Sequence, residues 1–137
     1  MSGNQKERGL LDTSVVILLG KVEASALPRF PIISTITLAE LSVGPLVAKS
    51  EAERLERQAR LLQASSDFEP IPFDGRAAHA FGTVSANLRQ AGRKTTARSL
   101  DAMIAATALS RALPLFTANP RDFEGINSLE VVPVTTD

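Results

Sequence analysis

Asp12, Glu40, Asp101 and Asp122 each stand where an apolar run gives way to a helix start, in Leu10-Leu11-Asp12-Thr13-Ser14, Thr37-Leu38-Ala39-Glu40, Ser99-Leu100-Asp101-Ala102 and Thr117-Ala118-Asn119-Pro120-Arg121-Asp122. In an open parallel α/β sheet the strand-to-helix turns share one edge, so residues distant in sequence meet there. Carboxylates gathered on such an edge repel one another unless a positive charge lies among them. Magnesium suits that arrangement: it prefers octahedral oxygen coordination, takes one or two direct carboxylates and keeps several waters. Its chemistry at such a site is attack on a phosphate ester.

Each acid also has an ordinary structural role open to it. Thr37-x-x-Glu40 reads as a capping box, and Asp101 and Asp122 fall in first helical turns, where a carboxylate gains about 0.3–1 kcal/mol from the helix dipole. Asp12 could cap the turn after its strand, but it follows Leu10-Leu11 directly, near the end of a buried strand, where an unpaired charge is costly.

The composition narrows the alternatives. Lys+Arg and Asp+Glu both number 15 in 137 residues, so any nucleic-acid contact must come from a local patch. The absence of cysteine removes disulfides, thiolate zinc sites and cysteine nucleophiles. The single histidine, His79, argues against a histidine-rich metal centre and reads as a partly buried structural residue on a helix. All six aromatic residues are Phe, so stacking platforms for bases are scarce. No signal-peptide pattern opens the chain, and its longest apolar run, residues 15–19, is too short to cross a bilayer. A soluble, cytoplasmic protein without a membrane partner is expected.

The elements that must position the acids follow from pattern and punctuation. Residues 1–8 are expected to form a flexible N-terminal segment and residues 9–137 one domain. Strands are predicted at 9–11, 32–33, 68–72, 114–117 and 131–134. Helical segments are predicted from Thr13-Ser14 to Gly20, from a Thr37 cap to Val43 with a break at Gly44-Pro45, and from Ser50 to about Ser65. A longer one runs from an Asp74 cap to about Ala91, where Ala77, Phe81, Val84, Leu88 and Ala91 make an apolar stripe. Residues 92–98 form a polar loop, and Ser99 opens an Ala-rich helix over 100–112. Short apolar strands alternating with helices imply a single three-layer α/β/α domain with a mainly parallel sheet of four to five strands.

With those residues in view, the chain resembles PIN-domain ribonucleases, and among them the VapC toxins of type II toxin–antitoxin pairs. The resemblance rests on Asp12-Thr13-Ser14, the Thr-x-Ala-Glu-Leu segment at 37–41, Ser-Leu-Asp-Ala-Met-Ile-Ala-Ala-Thr-Ala-Leu at 99–109 and Leu-Phe-Thr-x-Asn-x-x-Asp-Phe at 115–123, in that order over residues 9–134. It implies a magnesium-dependent endoribonuclease, with manganese as a substitute ion, that cleaves structured RNA to leave 5′-phosphate and 3′-hydroxyl ends. Asp12, Glu40 and Asp101 match the family's principal acids. Asn119 and Asp122 both stand near the fourth position, with Thr13 and Thr117 as hydroxyl helpers. A VapB-type antitoxin is implied as partner, and a homodimer as the assembly.

Between Asp74 and Asp101 there is no acidic residue, while Arg76, Arg89, Arg93, Lys94 and Arg98 fall in that interval. This asymmetry is the expected phosphate-contacting patch, with Arg121 as a second contact. The bland alternative is that Arg89–Lys94 solvates a helix C-terminus. Aspartyl-phosphate chemistry of the haloacid-dehalogenase type would need an acid where Ser14 stands, and a receiver domain would need an early acidic pair. A rival of another class is a PIN-like module that binds RNA or a partner without cutting it.

Overall fold

The computed structural model describes residues 5–94 and 98–136. The middle of the predicted 92–98 loop and the first four residues of the predicted N-terminal segment lie outside these described residues. Four strands, β1 (Arg8–Leu11), β2 (Phe30–Ile32), β3 (Leu115–Thr117) and β4 (Val131–Pro133), form one all-parallel sheet in the order β2-β1-β3-β4. Five α-helices accompany them among the described residues: α1 (Thr13–Ile17), α2 (Thr35–Val43), α3 (Glu51–Asp67), α4 (Gly75–Gln90) and α5 (Ser99–Ser110).

Alternation along the short strands builds two cores, because successive side chains point to opposite faces of a sheet. Leu10 and Leu115 pack with Val84, Leu88, Ala102, Ile104 and Ala105 under α4 and α5. Leu11 and Phe116 pack with Val15, Val16, Leu41 and Ala64 under α1, α2 and α3. These are the three layers expected. Gly9 is required by this packing: the Phe116 ring occupies the space where a Cβ at position 9 would stand.

The predicted third strand at 68–72 is reduced to one parallel bridge, Ser34 with Ile71, made by Thr35 N–H donating to the Ile71 carbonyl at 2.9 Å and Ile71 N–H to the Ile33 carbonyl at 3.0 Å. Pro70 and Pro72 flank Ile71 and have no N–H to extend the ladder. Helix α2 starts three residues earlier than predicted. The buried Ser34 hydroxyl accepts from Thr37 N–H at 3.1 Å, so Ser34 is the cap and the Thr37 capping box does not form. His79 is exposed, not partly buried, because it falls off the Ala77–Val84–Leu88 stripe of α4. Residues 5–8 are tied to the body: the Gln5 amide donates to the Leu27 carbonyl at 2.8 Å and Lys6 pairs with Glu130 at 2.7 Å.

Candidate active site

The strand order places the site. The chain runs from β1 to β2 on one side, then crosses to β3 on the other, so the carboxyl ends of β1 and β3 border the switch point where an open α/β sheet has its crevice. Asp12 follows β1 there, and the 3-10 turn Pro120–Phe123 carries Asp122 after β3. Glu40 lies in the second turn of α2, which follows β2. Asp101 arrives by a different route than the sequence suggested. Among the described residues the element before α5 is α4 and not a strand; α5 packs along α4 and leads into β3, so it runs against the strands and its first turn lies at their carboxyl edge.

Asp12 is 4% exposed and caps α1, its Oδ1 accepting from Val15 N–H at 3.1 Å and from the Ser14 hydroxyl at 2.6 Å. Burial pushes its pKa above the ordinary value, and the hydroxyls of Ser14 and Thr117 with the backbone N–H groups of Val15 and Ser14 pull the other way. The Thr13 hydroxyl donates to Glu40 Oε1 at 2.6 Å and lies 3.1 Å from the Thr37 hydroxyl, fastening the start of α1 to α2. Thr117 is fully buried and its Oγ1 accepts from Asn119 N–H at 2.9 Å, which shapes the turn toward Asp122.

The acids act on one another. Asp101 is pushed up to about 6, first by burial and then by the charges of Asp122, Glu40 and Asp12, with Arg98 opposing. Asp122 is therefore the residue after β3 whose charge reaches the cluster; Asn119 has an exposed side chain and contributes its backbone to the turn. Among the described residues no three His, Cys, Asp or Glu side chains stand close enough to ligate one ion together. That spacing fits an ion held directly by one or two carboxylates, with its remaining oxygen ligands from water.

Ser14, read from the sequence as a capping residue with Thr13, also belongs to the site. It donates to Asp12 and its oxygen accepts from Ala118 N–H at 3.0 Å, joining the ends of β1 and β3 through one hydroxyl. The available signal was its place two residues after the acid, the spacing of local side-chain capping.

The basic residues separate into groups. Arg98 Nη1 contacts Asp122 Oδ1 at 2.5 Å and stands 3.8 Å from Asp101 Oδ2. The Arg93 guanidinium donates to the carbonyls of Arg121 at 2.9 Å and Glu124 at 2.8 Å, so it holds the turn bearing Asp122. Arg89, Lys94 and Arg121 are exposed. Arg76 does not belong to this edge. It bonds the Ser110 carbonyl at the far end of α5, about 14 Å along the helix from Asp101 at 1.5 Å per helical residue.

The PIN-domain family model matches residues 9–129 of this chain. The chain belongs to the PIN-domain family. Ribonuclease VapC5 of Mycobacterium tuberculosis is 36% identical to this PIN domain over 132 residues, covering 92% of this chain and 95% of the relative. The tRNA(fMet)-specific endonuclease VapC of Shigella flexneri is 32% identical over 128 residues, covering 88% and 92%. Among solved structures, VapBC-5 of Mycobacterium tuberculosis, a member of the VapBC family of toxin–antitoxin systems, superposes with a TM-score of 0.81 at 35% identity, over 93% of this chain and 99% of that one.

Proposed function

We propose that this PIN domain is the ribonuclease toxin of a VapBC-type pair, a metal-dependent endonuclease of structured RNA. The observation that carries the reading is the group of four acids at the switch point, where Asp12, Glu40 and Asp122 each raise the pKa of Asp101. Four carboxylates gathered at one sheet edge in a folded chain favour a cation among them, and an all-oxygen donor set favours magnesium, with manganese able to replace it. A bound divalent cation would supply a water acidic near neutrality and positive charge against the phosphate and the departing oxygen.

The protein's own groups supply the rest. Asp12, locked by Ser14 and Val15, and Asp101 at the start of α5 are the direct ligands in this reading. Glu40, oriented by the Thr13 hydroxyl, and Asp122 face the same space and accept hydrogen bonds and a proton from attacking water. Exposed Arg89, Lys94 and Arg121 hold the RNA backbone.

Two cavities of about 370 Å³ flank Glu40, one lined by Thr13, Ile17, Leu41 and Arg57 among others, and one by Ala39, Val43 and Leu100. Nearby, Leu46 is 82% and Val47 61% exposed, and Val43 is exposed beside them. We assign this surface to a VapB-type antitoxin and to a second copy of the chain in a homodimer. No helix among the described residues is long and apolar enough to cross a membrane.

The deciding experiment is cleavage of a folded RNA by purified protein with Mg2+, with Mn2+ and with EDTA, followed by end analysis. Metal-dependent products with 5′-phosphate and 3′-hydroxyl ends are expected. Cleavage that survives EDTA, or 2′,3′-cyclic phosphate ends, would refute the mechanism, and binding without any cleavage would favour a non-cutting module.

A further inference from the structure

Among the described residues one cation stands in ion-pair contact with the acidic cluster, and it is the chain's own Arg98. Its Nη1 reaches Asp122 Oδ1 at 2.5 Å and Asp101 Oδ2 at 3.8 Å, so a single nitrogen serves acids from two different elements. The attachment is electrostatic and loose at its root. The Arg98 side chain is 44% exposed, and the residue occupies the N-cap position of α5 without making a side-chain cap bond. A guanidinium carries five donors and no lone pair, so it cannot join a metal's ligand shell. A metal cation and a guanidinium drawn to the same carboxylate oxygens repel each other.

We propose that Arg98 is a tethered counter-ion of the acidic cluster, one that a divalent cation must displace in order to bind. The inference rests on the metal-dependent reading above. Without metal, the guanidinium relieves part of the repulsion that the fold concentrates at the switch point. With metal, the same side chain leaves Asp122 and Asp101, and only then is it available to an RNA phosphate, the role its sequence position suggested. Metal affinity is thereby set lower than the acids alone would give, so occupancy follows the free metal concentration.

The test is Mn2+ titration of the purified full chain without RNA, with free Mn2+ read by electron paramagnetic resonance. Arg98→Gln should bind Mn2+ about two- to fivefold more tightly than wild type, the range expected for losing a partly exposed ion pair. Arg98→Lys, which keeps the charge, should stay near wild type. Unchanged or weaker binding by Arg98→Gln overturns the proposal, and leaves the metal reading standing if Asp101→Asn loses Mn2+ binding. If neither wild type nor Arg98→Gln binds Mn2+, both fall. A measurement on the wild-type chain covers the case in which Arg98→Gln does not fold: the Arg98 Nε–H resonance should shift when Mg2+ is added, and a resonance unmoved at saturating Mg2+ overturns the proposal.

Discussion

Replacing Asp101 with Asn should stabilise the metal-free protein while destroying its response to metal. Asp101 titrates at 3.8 in an unperturbed setting and at about 6 in the fold. Below pH 3.8 the carboxyl is protonated in both folded and unfolded chains, and the fold suffers no penalty. As pH rises toward 6 the unfolded chain ionises first, so stability falls, and above 6 the loss is complete and constant. At 1.36 kcal/mol per pKa unit the shift corresponds to about 3 kcal/mol for a fully desolvated group. The side chain keeps 32% of its exposure, which screens the effect to about 1–2 kcal/mol. Asn also forgoes the carboxylate's interaction with the helix dipole, about 0.3–1 kcal/mol. The net expectation is about 1 kcal/mol, or roughly 3–5 °C in melting temperature for a chain of this size. Thermal melts in EDTA should show Asp101→Asn above wild type at pH 7.5, with the gap closing near pH 4.5. Adding Mg2+ should raise only the wild type. A variant that melts lower at pH 7.5 in EDTA, or a gap independent of pH, would refute the reasoning.

Ser14→Ala leaves Asp12 Oδ1 short of a donor and Ala118 N–H without an acceptor, so a loss of about 1–3 kcal/mol in denaturant titration is expected, together with slower cleavage at saturating Mg2+. Gly9→Ala drives a methyl into the Phe116 ring and should destabilise by about 1–3 kcal/mol in the same assay; a neutral result would contradict the β1–β3 packing described. Arg89→Ala and Lys94→Ala should each weaken RNA binding and reduce the salt slope by about 1, whereas Arg76→Ala, at the far end of α5, should leave both unchanged. Light scattering at micromolar concentration should give a dimer mass that Leu46→Glu reduces to the monomer; a wild-type monomer would remove the assigned contact.

The sequence by itself determined the identity of the acids and most of the elements that carry them, because those depend on local chemistry. Asp74 and Ser50 sit at their helix caps as their side chains require, Gly44-Pro45 ends α2, and the Ala77–Val84–Leu88 stripe faces the core. What depends on partners distant in sequence was decided only in three dimensions. Residues 68–72 look like a strand, but flanking prolines leave Ile71 one bridge to a neighbour that local pattern cannot name. Thr37 has a capping sequence, yet Ser34 takes the cap because the bridge to Ile71 holds it at the end of β2. Asp122 and Asn119 share one turn, whose Arg121 and Glu124 carbonyls Arg93 holds, but Asp122 pairs with Arg98 while the Asn119 side chain is exposed. Arg76 and Arg98 look alike in one basic interval, but α4 and α5 run antiparallel, which sends Arg76 to one end of α5 and leaves Arg98 beside the acids at the other. Residue type and spacing fix which chemistry is available; the parallel sheet, by reversing its order between β1 and β3, fixes where those charges meet.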